Sequence, residues 1–294
     1  MIPLRLKEKV IESTFFLSSS LAIFINLAII AILTFESYGF FHKVSPIDFF
    51  TDTQWTPFFY DKHYGILSLF AGTFLTTVIA LAVALPVGLV SAIYLSEYAH
   101  PGFRVSVKPM LEMIAAVPTV VYGYFALLFV TPLLKNIIPG LASFNSLSAG
   151  IVMGIMIIPL IASLSEDAIH AVPLMLREGA FALGATRLQV VRRVLLPAAF
   201  SGIAASVILG VSRAIGETMI VAIAAGLQPR FTLNPLVPIE TVTSYIVQVS
   251  QGDAAAGTIE FQTIFVAGAS LFVMTFILNT ISYGLRKRYM QAYV

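Results

Sequence analysis

Cysteine is absent, and charge is scarce: Asp, Glu, Lys and Arg together make up 11% of 294 residues. Without cysteine, neither a disulfide framework nor a thiolate metal site can form. The four histidines, His42, His63, His100 and His170, show no H-E-x-x-H spacing, so no zinc site is expected. No G-x-x-x-x-G-K-[ST] string occurs, which leaves the chain without the phosphate-cradling loop of a P-loop ATPase. A net charge of +2, with the basic residues dispersed, gives no footprint for nucleic acid. Soluble domains carry about 25% charged residues; this chain lacks the polar coat that water requires.

What is present is apolar length. Hydrophobic residues make up 58% of the chain and mean hydropathy is +0.92. A bilayer core about 30 Å thick takes about 20 helical residues. Runs that meet this length fall at 13–35, 64–96, 113–134, 143–165, 198–225 and 261–285. We read them as six spans of one all-α polytopic membrane domain, residues 1–294, with a loop at 166–197 between the fourth and fifth. The first run is longer than a signal-peptide core and is followed by no small-x-small cleavage site, so it is expected to be a retained anchor.

Orientation follows from Lys and Arg. With the N-terminus inside, Arg5, Lys7, Lys9, Arg104, Lys108, Arg177, Arg187, Arg192, Arg193, Arg286, Lys287 and Arg288 are cytoplasmic. Only Lys43, Lys62, Lys135 and Arg230 fall outside, and Arg213 lies within a span. Both termini and the loop 166–197 are therefore expected inside. The outer segment 36–63 reads as an aromatic interfacial belt, in preference to an amphipathic lid. The outer segment 227–260, which includes Glu240, Asp253 and Glu260, has room for a short helix near 240–251. Pro86, Pro118, Pro132 and Pro159 interrupt the spans, and Gly72, Gly88, Gly123, Gly150 and Gly154 permit close helix contact.

Two patterns carry function. In the loop, Glu178-Gly179-Ala180 is followed by Gly184 and then by Val194-Leu195-Leu196-Pro197. Pro173 suits the first turn of a helix running to about Leu183, and Gly184 suits the left-handed residue that ends it. Thr186 and Gln189 form a capping box, and Pro197 opens the fifth span. Within that span, Ser212-Arg213-Ala214-Ile215-Gly216-Glu217-Thr218 holds two charges, each costing about 2.5–3.5 kcal/mol at this depth. Arg213 and Glu217 are four apart, on one helix face, and are expected to pair.

The spacing E-x-A-x3-G-x9-[IV]-x-L-P resembles the cytoplasmic "EAA" loop of permease subunits of bacterial ATP-binding-cassette importers, with Gly179 in place of the usual Ala. Arg213-Ala214-Ile215-Gly216-Glu217-Thr218-Met219 looks like the intramembrane motif of the phosphate-specific members. The stretches Ala80–Tyr98, Val117–Gly123 and Leu183–Arg187 are also similar to those members, and Met219 favours the C-type subunit. The resemblance implies that Glu178, Gly179, Ala180, Gly184, Ala185 and Pro197 dock an ATPase dimer. It implies that Arg213, Glu217, Thr218, Thr73, Thr76, Thr77 and Tyr122 line a phosphate pathway. It further implies a second, homologous permease chain, an external phosphate-binding protein and an inner-membrane location. The chain itself would bind no cofactor, and ATP and Mg would be used by the partner. Two other classes stay open: a related importer for another oxyanion such as molybdate or sulfate, and an ion-driven carrier.

Overall fold

A computed structural model describes residues 4–252, 254–255 and 257–289; Asp253 lies outside the described residues. Among them every regular element is helical, apart from two isolated bridges, Trp55 to Tyr64 and Gly226 to Ile239.

The first helix, α1 (Leu4–Phe41), contains no proline and no glycine before Gly39, so nothing interrupts it. Its apolar side chains are exposed on all sides, Phe15 at 69% and Leu27 at 61% for example. That is the pattern of a helix whose solvent is lipid. A short helix α2 (Pro46–Thr51) follows, capped by the Ser45 side chain. Then comes α3 (Leu67–Tyr98), which packs most extensively against α6 (Ser146–His170).

Glycine on α6 sets how near that pair can come. A Cβ at Gly150 would stand 2.7 Å from Ile79 Cβ, and one at Gly154 2.7 Å from the Ala80 carbonyl. Glycines four apart on one face thus let the two backbones touch. Around them Ala80, Ala84, Val152, Met153, Met156 and Ile157 form a dry core.

The remaining helices are α4 (Pro101–Ala115), α5 (Thr119–Lys135), α7 (Leu174–Ala182), α8 (Arg187–Ala198), α9 (Phe200–Ile215), α10 (Met219–Ala224), α11 (Val242–Ser250) and α12 (Ile259–Tyr289). Among the described residues, four helices are long and apolar enough to cross a bilayer. Two bent pairs bring the number to six if each counts as one span: α4 with α5 at 83°, and α8 with α9 at 72°. A straight third span over 113–134 is not what forms. The chain turns at Ala116–Pro118, because proline has no N–H to continue a helix and restricts the residue before it. Nor does Pro197 open a straight fifth span: it sits inside α8, and the corner comes at Ala199.

The 36–63 segment does not lie flat as a belt. Phe40, Phe49 and Trp55 pack with Ile66, Leu69, Val242 and Tyr245 into a second core, leaving Trp55 1% exposed. Phe58, Phe59 and Tyr60 do stay exposed. Burying an indole removes more apolar area from water than an interfacial position does, and Trp55 meets Tyr245 edge-on at 5.1 Å. This cap lies at one end of the bundle.

At the other end α4 is pinned to α6. Arg104 and Lys108, one turn apart, both pair with buried Glu166, and Lys108 also reaches Asp167.

The glycine contact gives a direct test. Gly154→Leu should lower the stability of the purified chain by about 1–3 kcal/mol, the range for overpacking. Gly284→Ala, where a Cβ meets nothing within 4 Å, should cost nothing. Thermal unfolding in detergent reads both; equal melting temperatures for the two variants would contradict the packing.

Candidate functional site: a broken span and an exposed elbow

The stretch 171–199 folds as an elbow. Pro173 is the residue before α7, in extended conformation, rather than a member of its first turn. Gly184, at φ +81°, ends the helix: its N–H bonds the Phe181 carbonyl at 2.9 Å, and Ala185 N–H bonds the Ala180 carbonyl at 3.1 Å. Left-handed backbone suits glycine, which has no Cβ to clash. Thr186 then restarts the chain. Its side chain accepts from Gln189 N–H at 3.4 Å, while Gln189 Oε1 accepts from Thr186 N–H at 2.8 Å. The capping box expected from sequence is therefore formed.

The two arms of the elbow have opposite surroundings. On α8, Val190, Val191 and Leu195 are buried against Ala92, Ile169 and Val172, which seats that arm on the bundle. On α7 no residue is buried; Met175 is 82% exposed, and Leu183 just beyond its end is 90% exposed. Glu178 and Gly179 face outward, and nothing lies within 4 Å of a Cβ at Gly179 or Gly184. Arg177 tethers α7 to the bundle: it pairs with Glu97 at 3.0 Å and donates to the Ile169 carbonyl at 2.7 Å. Thus α7 presents an apolar, small-residue face while one guanidinium ties it to the ends of α3 and α6.

The second feature is a break in a membrane helix. α9 ends at Ile215, and α10 begins only at Met219. Glu217, 7% exposed, turns inward, and its Oε1 accepts from the N–H groups of Met219 (3.1 Å) and Ile220 (3.3 Å). Its own carbonyl accepts from Thr243 Oγ1 at 2.7 Å, across from α11. Thr218 bonds locally, to the Gly216 carbonyl at 3.3 Å.

The expected Arg213–Glu217 pair is therefore overturned. Four-residue spacing brings side chains together only on a continuous helix, and Gly216 ends this one. Among the described residues no ion pair joins them. Arg213 is exposed, its Nη2 resting 3.6 Å from Met156 Sδ.

The other expected pathway donors are spent within the chain. Thr73 donates to Leu69 O at 2.8 Å and accepts from Val242 N–H at 3.2 Å; Thr76 donates to Gly72 O at 2.8 Å. Both are buried, as is Thr77. Tyr122 OH donates to Ile114 O at 2.8 Å, which staples the corner between α4 and α5. Sequence reasoning missed Thr243 and Glu240, although Thr241 and Ser244 carry the capping-box signal that starts α11. Among the described residues no group of three or more His, Asp or Glu is placed to hold a metal.

The chain is a multi-pass helical bundle with an exposed elbow between α6 and α9. The model of the family described as "Binding-protein-dependent transport system inner membrane component" matches residues 84–291, and the chain belongs to that family. Among curated relatives, the chain is 34% identical to the probable ABC transporter permease protein YqgH of Bacillus subtilis, over 89% of this chain and 83% of that one. It is 33% identical to the phosphate transport system permease protein PstC of Haemophilus influenzae, over 90% of each. Among solved structures, a bacterial ABC transporter for alginate import superposes with a TM-score of 0.63 at 16% identity, covering 98% of this chain and all of that chain. That structural likeness establishes the fold alone.

The break yields its own test. Glu217→Gln keeps an acceptor for the two N–H groups and should cost little stability. Glu217→Leu orphans both and should cost about 1–3 kcal/mol. Unfolding of the purified variants measures the difference; indistinguishable values would show that the carboxylate is not the cap.

Proposed function

We propose that this chain is a permease subunit of an ATP-driven importer that carries inorganic phosphate into the cell. The observation that carries this reading is the 33% identity, over 90% of each chain, with a phosphate transport system permease. Further relatives bearing the same name support it, for example the Xylella fastidiosa protein at 31% over 80% of this chain.

The chain's own chemistry fits an oxyanion. Arg213 offers a planar fork of donors on an exposed face, and Glu217 does not neutralise it. A second, similar permease chain facing α9 would enclose a path with Arg213 on its wall. Thr218 lies beside the break, and Tyr122, stapled to Ile114, is close enough to feel the Arg213 charge; the buried Thr73, Thr76 and Thr77 act through packing. The excess of Lys and Arg in alternate loops supports an orientation with both termini and the elbow in the cytoplasm and the cap outside.

The elbow is then the point where force enters. Glu178, Gly179, Ala180, Gly184 and Ala185 would seat α7 in a groove of an ATPase dimer, which binds the ATP and Mg that this chain does not. Pro197, in α8, stiffens the arm behind them. Closure of the ATPase pushes α7, and α8, seated on the bundle through Val190, Val191 and Leu195, passes the push to α9 at the 72° corner. A binding protein delivers phosphate to the opposite end, phosphate enters the outward-open path, and hydrolysis resets the bundle. No covalent bond forms or breaks in this chain.

Radiolabelled phosphate uptake in cells, with molybdate and sulfate as competitors, tests the reading. Arg213→Gln and Gly184→Asp should each reduce uptake at least tenfold with normal membrane insertion, and neither competitor should displace phosphate. Wild-type uptake by both variants, or stronger inhibition by molybdate than by unlabelled phosphate, would overturn it.

A further inference from the structure

Under the cap lies a cavity of about 400 Å³ that the transport reading does not use. Among the described residues, Trp55, Phe58 and Tyr245 supply aromatic walls, Gln228 and Gln248 supply amides, and Glu240 supplies the one carboxyl group. Glu240 is 1% exposed, and its Oε1 has no hydrogen-bond partner. Its backbone is fixed from two sides. A Cβ on Gly72 of α3 would meet its carbonyl oxygen at 2.1 Å, and the next residue, Thr241, caps α11.

A buried carboxyl with an unused oxygen is expensive to maintain, because burial removes water and nothing replaces it. Its ionised form repels an anion. A metal ion needs several oxygen or nitrogen ligands, and this cavity offers one carboxylate. An organic cation meets all three features: the carboxylate as counter-ion, the ring faces for cation–π attraction, and apolar walls for a carbon stem. We infer that this cavity binds a cationic head on an apolar stem, a primary ammonium or a guanidinium, with Glu240 as its counter-ion and Trp55 and Tyr245 beside it.

Burial also pushes the Glu240 carboxyl up to about 8. Below that value an entering cation must displace a proton; above it the carboxylate is already charged. The groups facing it are few. Tyr245 on α11 is itself pushed up by burial, and Tyr64 interacts with Tyr245 from the cap. Arg230, on the 227–239 loop, is held 2.8 Å from Gln228 Oε1, and α3 carries no charged residue between Leu67 and Ile93. Apparent affinity should therefore rise about tenfold between pH 7 and pH 9, following the ionised fraction of a single carboxyl.

The test uses the full-length chain purified in detergent, with N-acetyl-lysine methylamide as probe and uncharged N-acetyl-norleucine methylamide as control. The lysine probe should raise the melting temperature, more strongly at pH 9 than at pH 7, and Glu240→Gln should abolish the rise. No shift in the wild type, an equal shift with the norleucine control, or an unchanged shift in Glu240→Gln would overturn the site. A second readout needs no variant. Dicyclohexylcarbodiimide labelling of Glu240, read by peptide mass spectrometry, should be blocked by the lysine probe; labelling unaffected by the probe would overturn the site equally. The cation can come from free amines or from a lysine or arginine of a protein docked at the cap. In the assembled transporter the probe slows ATP-dependent uptake if a docked side chain is the natural occupant, and leaves it unchanged if a free amine is. Only this last arm rests on the importer reading.

Discussion

Backbone N–H groups inside a bilayer have no water to turn to, and the gap between Ile215 and Met219 exposes several of them at once. Glu217 closes that gap by placing its carboxylate over the N–H groups of Met219 and Ile220. Much else follows from this one cap. The Glu217 carbonyl is held by Thr243, so α11 is drawn into the bundle and does not float above it. Val242 N–H then meets Thr73, and the Glu240 carbonyl presses on Gly72, which locks α11 to α3. The cap core of Trp55, Phe40 and Tyr245 rests on that platform. A carboxylate committed to backbone is also one that does not neutralise Arg213.

The two ends of the molecule are built on contrasting principles. The cap is dense, with aromatic side chains packed edge to face. The elbow is rigid where it joins the bundle and bare where it leaves it: buried Val190, Val191 and Leu195 anchor α8, whereas α7 buries nothing. A rigid arm behind an exposed apolar helix is what a transmitted push requires.

Local chemistry was legible in the sequence. The left-handed Gly184, the Thr186–Gln189 box and the short helix expected near 240–251, which forms over Val242–Ser250, all depend on residues a few positions apart, and all formed. What escaped the sequence was tertiary. Gly216 reads as a weak point in a helix, and the arrival of Thr243, 26 residues further on, helps the Glu217 cap to make an actual break there stable. Thr73, Thr76 and Tyr122 each bond a carbonyl of their own neighbourhood, as such residues commonly do; what only the fold supplies is the Val242 N–H that Thr73 accepts. Trp55 reads as an interfacial residue until α11 arrives beneath it. Pro118 did signal a corner, but hydropathy alone ran the third span straight through it.

The central claim is that Glu217 serves the broken backbone and is energetically independent of Arg213. A double-mutant cycle on the purified chain, combining Arg213→Gln with Glu217→Gln and reading unfolding free energies, measures this directly. The account predicts additivity within about 0.5 kcal/mol, as for groups that share no contact. A coupling energy above about 1 kcal/mol would reveal an ion pair and contradict it.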